Sequence, residues 1–172
     1  MSTPRNRFSS CCGSPFTEGV YPRTCPECQN QFWDNPIPVV VVLQPVIGRD
    51  GRTGLMLIER AIPPFVGGQA LPGGFMEVES WRTAAVREMA EECLEGLDPD
   101  ALVPFSPYPF ESTPDGSRIL FFCLAPTVEE ENLPPFTPNE EAHDRRVIWN
   151  PEESCFSIHT AAITVFFATL PA

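Results

Sequence analysis

The sequence predicts an α/β sandwich preceded by a small cysteine-bearing segment. Three observations carry that expectation. Short β-branched and aliphatic runs of strand length recur from residue 39 onward. Residues 80–96 and 161–170 read as two helices. The first 35 residues are polar and hold Cys11, Cys12, Cys25 and Cys28 but few aliphatics, so a boundary falls between residues 1–35 and 36–172.

Taken in order, residues 1–35 cannot bury a core of their own and need a staple. Cys25-Pro26-Glu27-Cys28 is a C-x-x-C knuckle, which offers two thiolates to a tetrahedral metal. The other half reads Ser9-Ser10-Cys11-Cys12-Gly13. Cys12 matches the second ligand of such a knuckle, and Cys11 is the candidate for a displaced fourth ligand. This makes Zn²⁺ a candidate structural ion; the alternative is a ribbon without zinc, held by packing or a disulfide. Beyond Asn35-Pro36, residues 39–46 read as one buried strand, Gly48-Arg49-Asp50-Gly51 as a turn, and residues 55–59 as a second strand. Ser80 suits a helix N-cap. Residues 102–105, 118–125 and 147–149 read as further strands, and residues 161–170 are apolar enough to dock on the sheet as a terminal helix.

Composition narrows the function. A formal charge of −12 argues against nucleic acid and against an anionic membrane surface as partner. Arg5, Arg7 and Arg23 are the only basic residues of the first segment. All eleven basic residues of the chain are arginine, so a side-chain phosphate clamp would be a bidentate one. No run is long and apolar enough to span a bilayer, and the start has no apolar leader. Seven cysteines in such a chain suggest a reducing, cytoplasmic setting.

The stretch over residues 73–97, GGFMEVESWRTAAVREMAEECLEGL, carries the chemistry. Glu88, Glu91 and Glu92 stand at i, i+3 and i+4, on nearly one side of a helix. Like charges at that spacing repel. Three kept together point to a cation, and all-oxygen ligands suit Mg²⁺ or Mn²⁺. A solvated charge run is the bland alternative.

Counted from Gly73, the segment resembles the signature of the Nudix hydrolases, G-x5-E-x7-R-E-U-x-E-E-x-G-U, where U is aliphatic. Glu79, Arg87, Glu88, Met89, Glu91 and Glu92 fall on it. The lead-in loop is one residue shorter than relatives usually have, and Leu94 stands at the second glycine, so the helix should run on toward Gly96. The resemblance covers residues 36–172 and implies an α/β/α sandwich with a mixed sheet. The first segment resembles the zinc-ribbon knuckle of one subgroup, with Ser9 in place of its first cysteine.

The resemblance further implies hydrolysis of a nucleoside diphosphate linked to a group X, such as NADH, FAD or ADP-ribose. It implies Glu88, Glu91 and Glu92 as ligands of Mg²⁺ or Mn²⁺, with Glu88 and Glu92 foremost, and Arg87 paired with Glu79 to orient them. Arg60 sits where relatives carry a substrate arginine. Glu140-Glu141 lies where relatives often add a glutamate, and it competes with the helical glutamates as general base. Ser106-Pro107-Tyr108-Pro109-Phe110 is similar to a motif of NADH pyrophosphatases, which makes Tyr108 and Phe110, with Phe65, candidates to stack on a base; a proline-rich loop with an aromatic plug is the alternative. His143 and His159 read as structural. The partner is a small nucleotide, and family habit suggests a homodimer. Rival readings are a hydrolase of nucleoside triphosphates or diadenosine polyphosphates, and a catalytically silent nucleotide-binding module.

Overall fold

The computed structural model describes residues 8–16 and 21–171. Arg5, Arg7 and most of the stretch read as lacking an apolar leader lie outside the described residues. The chain divides into two compact units, one ending at Pro36 and the other starting at Ile37.

In the first unit, β1 (Arg23–Thr24) pairs antiparallel with β2 (Gln31–Phe32). The knuckle between them is closed by two backbone bonds, Cys25 N–H to Asn30 O and Gln29 N–H to Cys25 O, both 2.9 Å. The Phe16 ring packs edge-on to Phe32 at 5.1 Å.

The second unit runs β3 (Ile37–Leu43), β4 (Pro45–Ile47), β5 (Thr53–Arg60), β6 (Gln69–Ala70), β7 (Gly73–Phe75), α1 (Trp81–Glu92), β8 (Val103–Pro104), β9 (Phe110–Ser112), β10 (Arg118–Leu124), β11 (Val128–Glu129), β12 (Ala142–Ile148) and α2 (Ser157–Thr169). One sheet has the order β7-β3-β10-β8, with β9 also on β10; the other has β11-β4-β5-β12, with β6 on β5. Both are mixed: β3 and β10 are parallel, as are β4 and β11, and the remaining pairs are antiparallel.

Residues 39–46, expected as one strand, belong to both sheets. The break is at Gln44, which is fully buried and whose Nε2 donates to Pro45 O at 2.9 Å and Pro126 O at 2.7 Å. Pro45 has no N–H to continue a ladder, so the chain changes sheets there.

Strand periodicity then sorts the core into two layers. Val40, Val42, Met56 and Ile58 cluster with Ala84, Ala85 and Met89 of α1. Val41, Leu43, Leu55 and Leu57 cluster with Ala162, Ile163 and Phe166 of α2. Each large aliphatic buried this way contributes about 1.5–3 kcal/mol. The result is a helix on either side of the strands, with α1 laid against β3 and the glycine-bearing β7.

The two ends of α1 have identifiable partners. Ser80 Oγ accepts the Thr83 N–H at 3.2 Å and caps α1. The helix stops at Glu92, short of the expected Gly96. Cys93 N–H and Leu94 N–H both turn back to Met89 O, and Arg145 Nη1 donates to Cys93 O at 2.8 Å. A cation from β12 thus closes the negative end of the helix. α2 begins at Ser157, earlier than the expected residue 161, which brings His159 into it. Among the described residues, no helix is long and apolar enough to cross a membrane.

Candidate active site

The site starts from the backbone of β7. Gly73 pairs with Val41 and Gly74 with Val40. Gly73 has φ +147, and a Cβ there would run into the Val40 carbonyl oxygen. A Cβ on Gly74 would overlap the Glu88 carboxylate. The two glycines therefore let helix carboxylates rest directly on the strand. Gly73 N–H donates to Glu92 Oε2 at 2.6 Å. Just upstream, Leu71 N–H donates to His159 Nδ1 at 3.2 Å, which ties the loop to α2.

Glu88 and Glu92 are buried on the inner side of α1, while the Glu91 side chain is 43% exposed. Arg87 links three carboxylates: Nη2 lies 2.7 Å from Glu79, and Nη1 lies 2.6 Å from Glu88 and 3.0 Å from Glu91. Its Nη2 also donates to Phe75 O at 2.9 Å. Arg87 is thus fixed to the loop and the helix at once, and these bonds push its own pKa up.

Burial dominates the electrostatics. It pushes the Glu92 carboxyl up to about 8, with the Gly73 N–H opposing and the charges of Glu88 and Glu141 adding to the rise. Burial also raises Glu88, against the pull of Arg87. Glu79 is held below the usual carboxylate range by Arg87. Two buried carboxylates that resist ionisation side by side are a place where a cation would be welcome. The donor set is all oxygen, which fits a hard divalent ion. The three helical carboxylates do not converge on one point as they stand, because Arg87 holds Glu88 and Glu91 and Gly73 holds Glu92.

The other sequence candidates scatter around this centre. Arg60 donates from Nε to Pro64 O at 2.9 Å and lies over the Phe156 ring at 5.2 Å; its charge also lowers the pKa of Glu92. Phe65, at φ +64 and 56% exposed, stands edge-on to Phe156 at 5.4 Å. Tyr108 packs into the α2 layer against Phe122, with ring centroids 5.2 Å apart. Phe110 is exposed and lines an apolar cavity of about 310 Å³ with Pro38, Met76, Trp81, Ile119 and Phe121. The two aromatics of the proline-rich stretch thus have different surroundings. The charge of Glu141 reaches Glu88 and Glu92, whereas His143 is exposed and lies 3.9 Å from Glu59.

Two residues outside the predicted site hold it in place: His159, read from the sequence as structural, and Arg145, which the sequence reading missed. His159 is buried, accepts the Leu71 N–H, and is driven down to about 3 by burial and then by the charge of Arg60. Arg145 closes α1 from a distant strand. Neither belongs to a local pattern, so their partners, Leu71 and Cys93, emerge only in the assembled fold.

In the first unit, the sulfurs of Cys12, Cys25 and Cys28 lie within 4.8 Å of one another, a group compatible with a structural zinc ion. Cys12 and Cys25 Sγ are 3.6 Å apart. Hydrogen bonding with Ser14, then with Ser9, pulls the Cys12 thiol down to about 6. Cys11, expected as a fourth ligand, is outside the group: it is exposed, and its sulfur accepts Asn30 Nδ2 at 3.0 Å. Adjacent side chains on one turn point apart, so the Cys12 sulfur faces Cys25 and Cys28 and the Cys11 sulfur does not.

Comparison with known proteins places the second unit in a family. The NUDIX domain model matches residues 36–163. A NUDIX hydrolase from Nitrosomonas europaea is similar in structure, with 22% identity, a TM-score of 0.69, and coverage of 95% of this chain and 91% of that one. A MutT/nudix family protein from Enterococcus faecalis has 20% identity and a TM-score of 0.63 over 85% of this chain and 64% of that one. A bifunctional NMN adenylyltransferase/ADP ribose pyrophosphatase from Francisella tularensis, complexed with AMP and Mn ion, has 24% identity and a TM-score of 0.53 over 77% of this chain and 41% of that one. The chain matches none of the curated proteins compared with it.

Proposed function

The chain belongs to the Nudix family of pyrophosphohydrolases, and we propose that it cleaves the pyrophosphate of a nucleoside diphosphate linked to a group X, such as NADH, FAD or ADP-ribose. The products are a nucleoside monophosphate and X-phosphate. The observation that carries the reading is the buried Glu88–Glu92 pair, laid on Gly73 and Gly74 and braced by Arg87. Nudix enzymes use divalent metals; Mg²⁺ or Mn²⁺ at Glu88, Glu91 and Glu92 would supply neutralisation of phosphate charge and a more acidic water.

The chain's own residues supply positioning. Arg87 fixes where the Glu88 and Glu91 oxygens stand, and Glu79 fixes Arg87. Gly73 N–H fixes one Glu92 oxygen, Oε2, against the strand. Proton removal from water falls to Glu141 or to a helical glutamate; the Glu141 charge already bears on both buried carboxylates. Arg60 offers its guanidinium to phosphate once it leaves the loop carbonyls. Phe110, at the rim of its apolar cavity, offers a face for a base, and Phe65 offers another. The name of the Francisella relative, an ADP ribose pyrophosphatase with AMP and Mn ion, agrees with this substrate class.

For the first unit we assign a structural zinc to Cys12, Cys25 and Cys28. Seven cysteines, three of them assigned to zinc, support a reducing, cytoplasmic setting. A homodimer follows from family habit.

The test is product identity. With Mg²⁺ or Mn²⁺, the protein should release a nucleoside monophosphate from NADH, FAD or ADP-ribose, resolved by chromatography. Turnover confined to nucleoside triphosphates or diadenosine polyphosphates would overturn the substrate class. Inactivity of folded, cation-supplied protein on every compound would overturn the reaction.

A further inference from the structure

We infer that the metal site of the first unit is a three-sulfur, one-oxygen centre, with Ser9 Oγ as the fourth ligand of Cys12, Cys25 and Cys28. The inference rests on the zinc assignment above and concerns who completes it. Ser9 is buried, 2% exposed, although its neighbours Ser10, Cys11 and Cys12 are exposed. Its Oγ lies 3.4 Å from Cys12 Sγ and 3.7 Å from Cys28 Sγ.

These distances fit a tetrahedron around zinc. Zn–S bonds of about 2.3 Å give sulfur–sulfur edges of about 3.8 Å, and a Zn–O bond of about 2.0–2.2 Å gives sulfur–oxygen edges of about 3.5–3.7 Å. The observed Cys12–Cys25 edge is 3.6 Å. Cys11 N–H and Cys12 N–H both donate to Ser9 Oγ at 3.3 Å, which fixes the oxygen on the turn beside the two sulfurs. Cys11, the other candidate, spends its sulfur on Asn30.

The chemical consequence is a weaker hold. A hydroxyl is a harder and poorer zinc ligand than a thiolate, so the ion should leave more readily than from four sulfurs. Three thiolates and a neutral hydroxyl also leave the centre with one negative charge instead of two.

X-ray absorption on the zinc-loaded, reduced full chain tests the ligand count. Chelator competition on wild type, Ser9→Cys, Ser9→Ala and Cys11→Ser tests the assignment. The expected wild-type shell is three sulfurs and one light atom. Ser9→Cys should convert it to four sulfurs and slow zinc release by roughly tenfold or more. Ser9→Ala should speed release, and Cys11→Ser should leave it unchanged. Four sulfurs in the wild type, or zinc lost from Cys11→Ser but unaffected by both Ser9 changes, would overturn the role of Ser9 while zinc itself stands. No stoichiometric zinc in the wild type would overturn the zinc assignment, and this inference with it.

Discussion

Glu92→Gln should stabilise the protein when no divalent cation is added, and more so as the pH rises. The Glu92 side chain is buried, and burial holds its carboxyl at about 8 against an ordinary 4.5. Between those values the folded protein keeps a proton that the unfolded chain gives up. Stability is therefore lost as pH rises from 4.5 through 8. At about 1.4 kcal/mol per pH unit, the full gap corresponds to about 5 kcal/mol at most, and relaxation of the site should leave about 2–4 kcal/mol. Glutamine keeps an oxygen for the Gly73 N–H, so that bond survives. For a chain of this size the gain is about 5–10 °C in Tm near pH 8. Thermal denaturation followed by circular dichroism from pH 5 to 8.5 measures it, with chelators omitted to spare the cysteine site. The two proteins should converge near pH 5, and Mg²⁺ should raise the wild type toward the variant. A variant no more stable than wild type at pH 8, or an offset that does not change with pH, would refute the reasoning.

Three further outcomes can be measured. His159 is held at about 3 against an ordinary 6.5, so its contribution to stability is present above 6.5 and is lost as pH falls toward 3; His159→Asn should flatten the acid limb of a urea-unfolding series, where wild type loses up to about 1.4 kcal/mol per pH unit. Gly74→Ala should cut turnover more than stability because its Cβ meets the Glu88 carboxylate, whereas Gly73→Ala should cost more than about 2 kcal/mol because its Cβ meets backbone; paired activity and denaturation assays separate the two. Arg145→Met should cost about 1.5–3 kcal/mol in denaturant titrations, since Cys93 O loses a charged donor at the end of α1.

What the sequence made legible was local. The glutamates at helical spacing and the Ser80 cap follow from neighbours a few residues apart, and the structure places them on one twelve-residue helix. The buried runs in β3, β5 and β10 were visible for the same reason. What stayed hidden was set by distant partners. Arg145, from β12, stops α1 before Gly96. Gln44 is a polar residue in an apolar run, yet its amide bonds to Pro126, far along the chain, and marks the change of sheets. Tyr108 and Phe110 looked like one motif, but their rings have different neighbours, and β9 pairing to β10 commits only Phe110 to its strand. That Cys11 stands outside the cysteine group was hidden as well, because it depends on which sulfur of one turn faces Cys25 and Cys28.

The most direct test of the buried glutamate pair as the catalytic centre is turnover of wild type and Glu92→Gln at saturating Mn²⁺ on whichever dinucleotide the wild type cleaves. The prediction is a loss of roughly 10²–10³-fold or more in kcat with the variant fully folded. Equal kcat in the two proteins would contradict it and place the chemistry elsewhere in the fold.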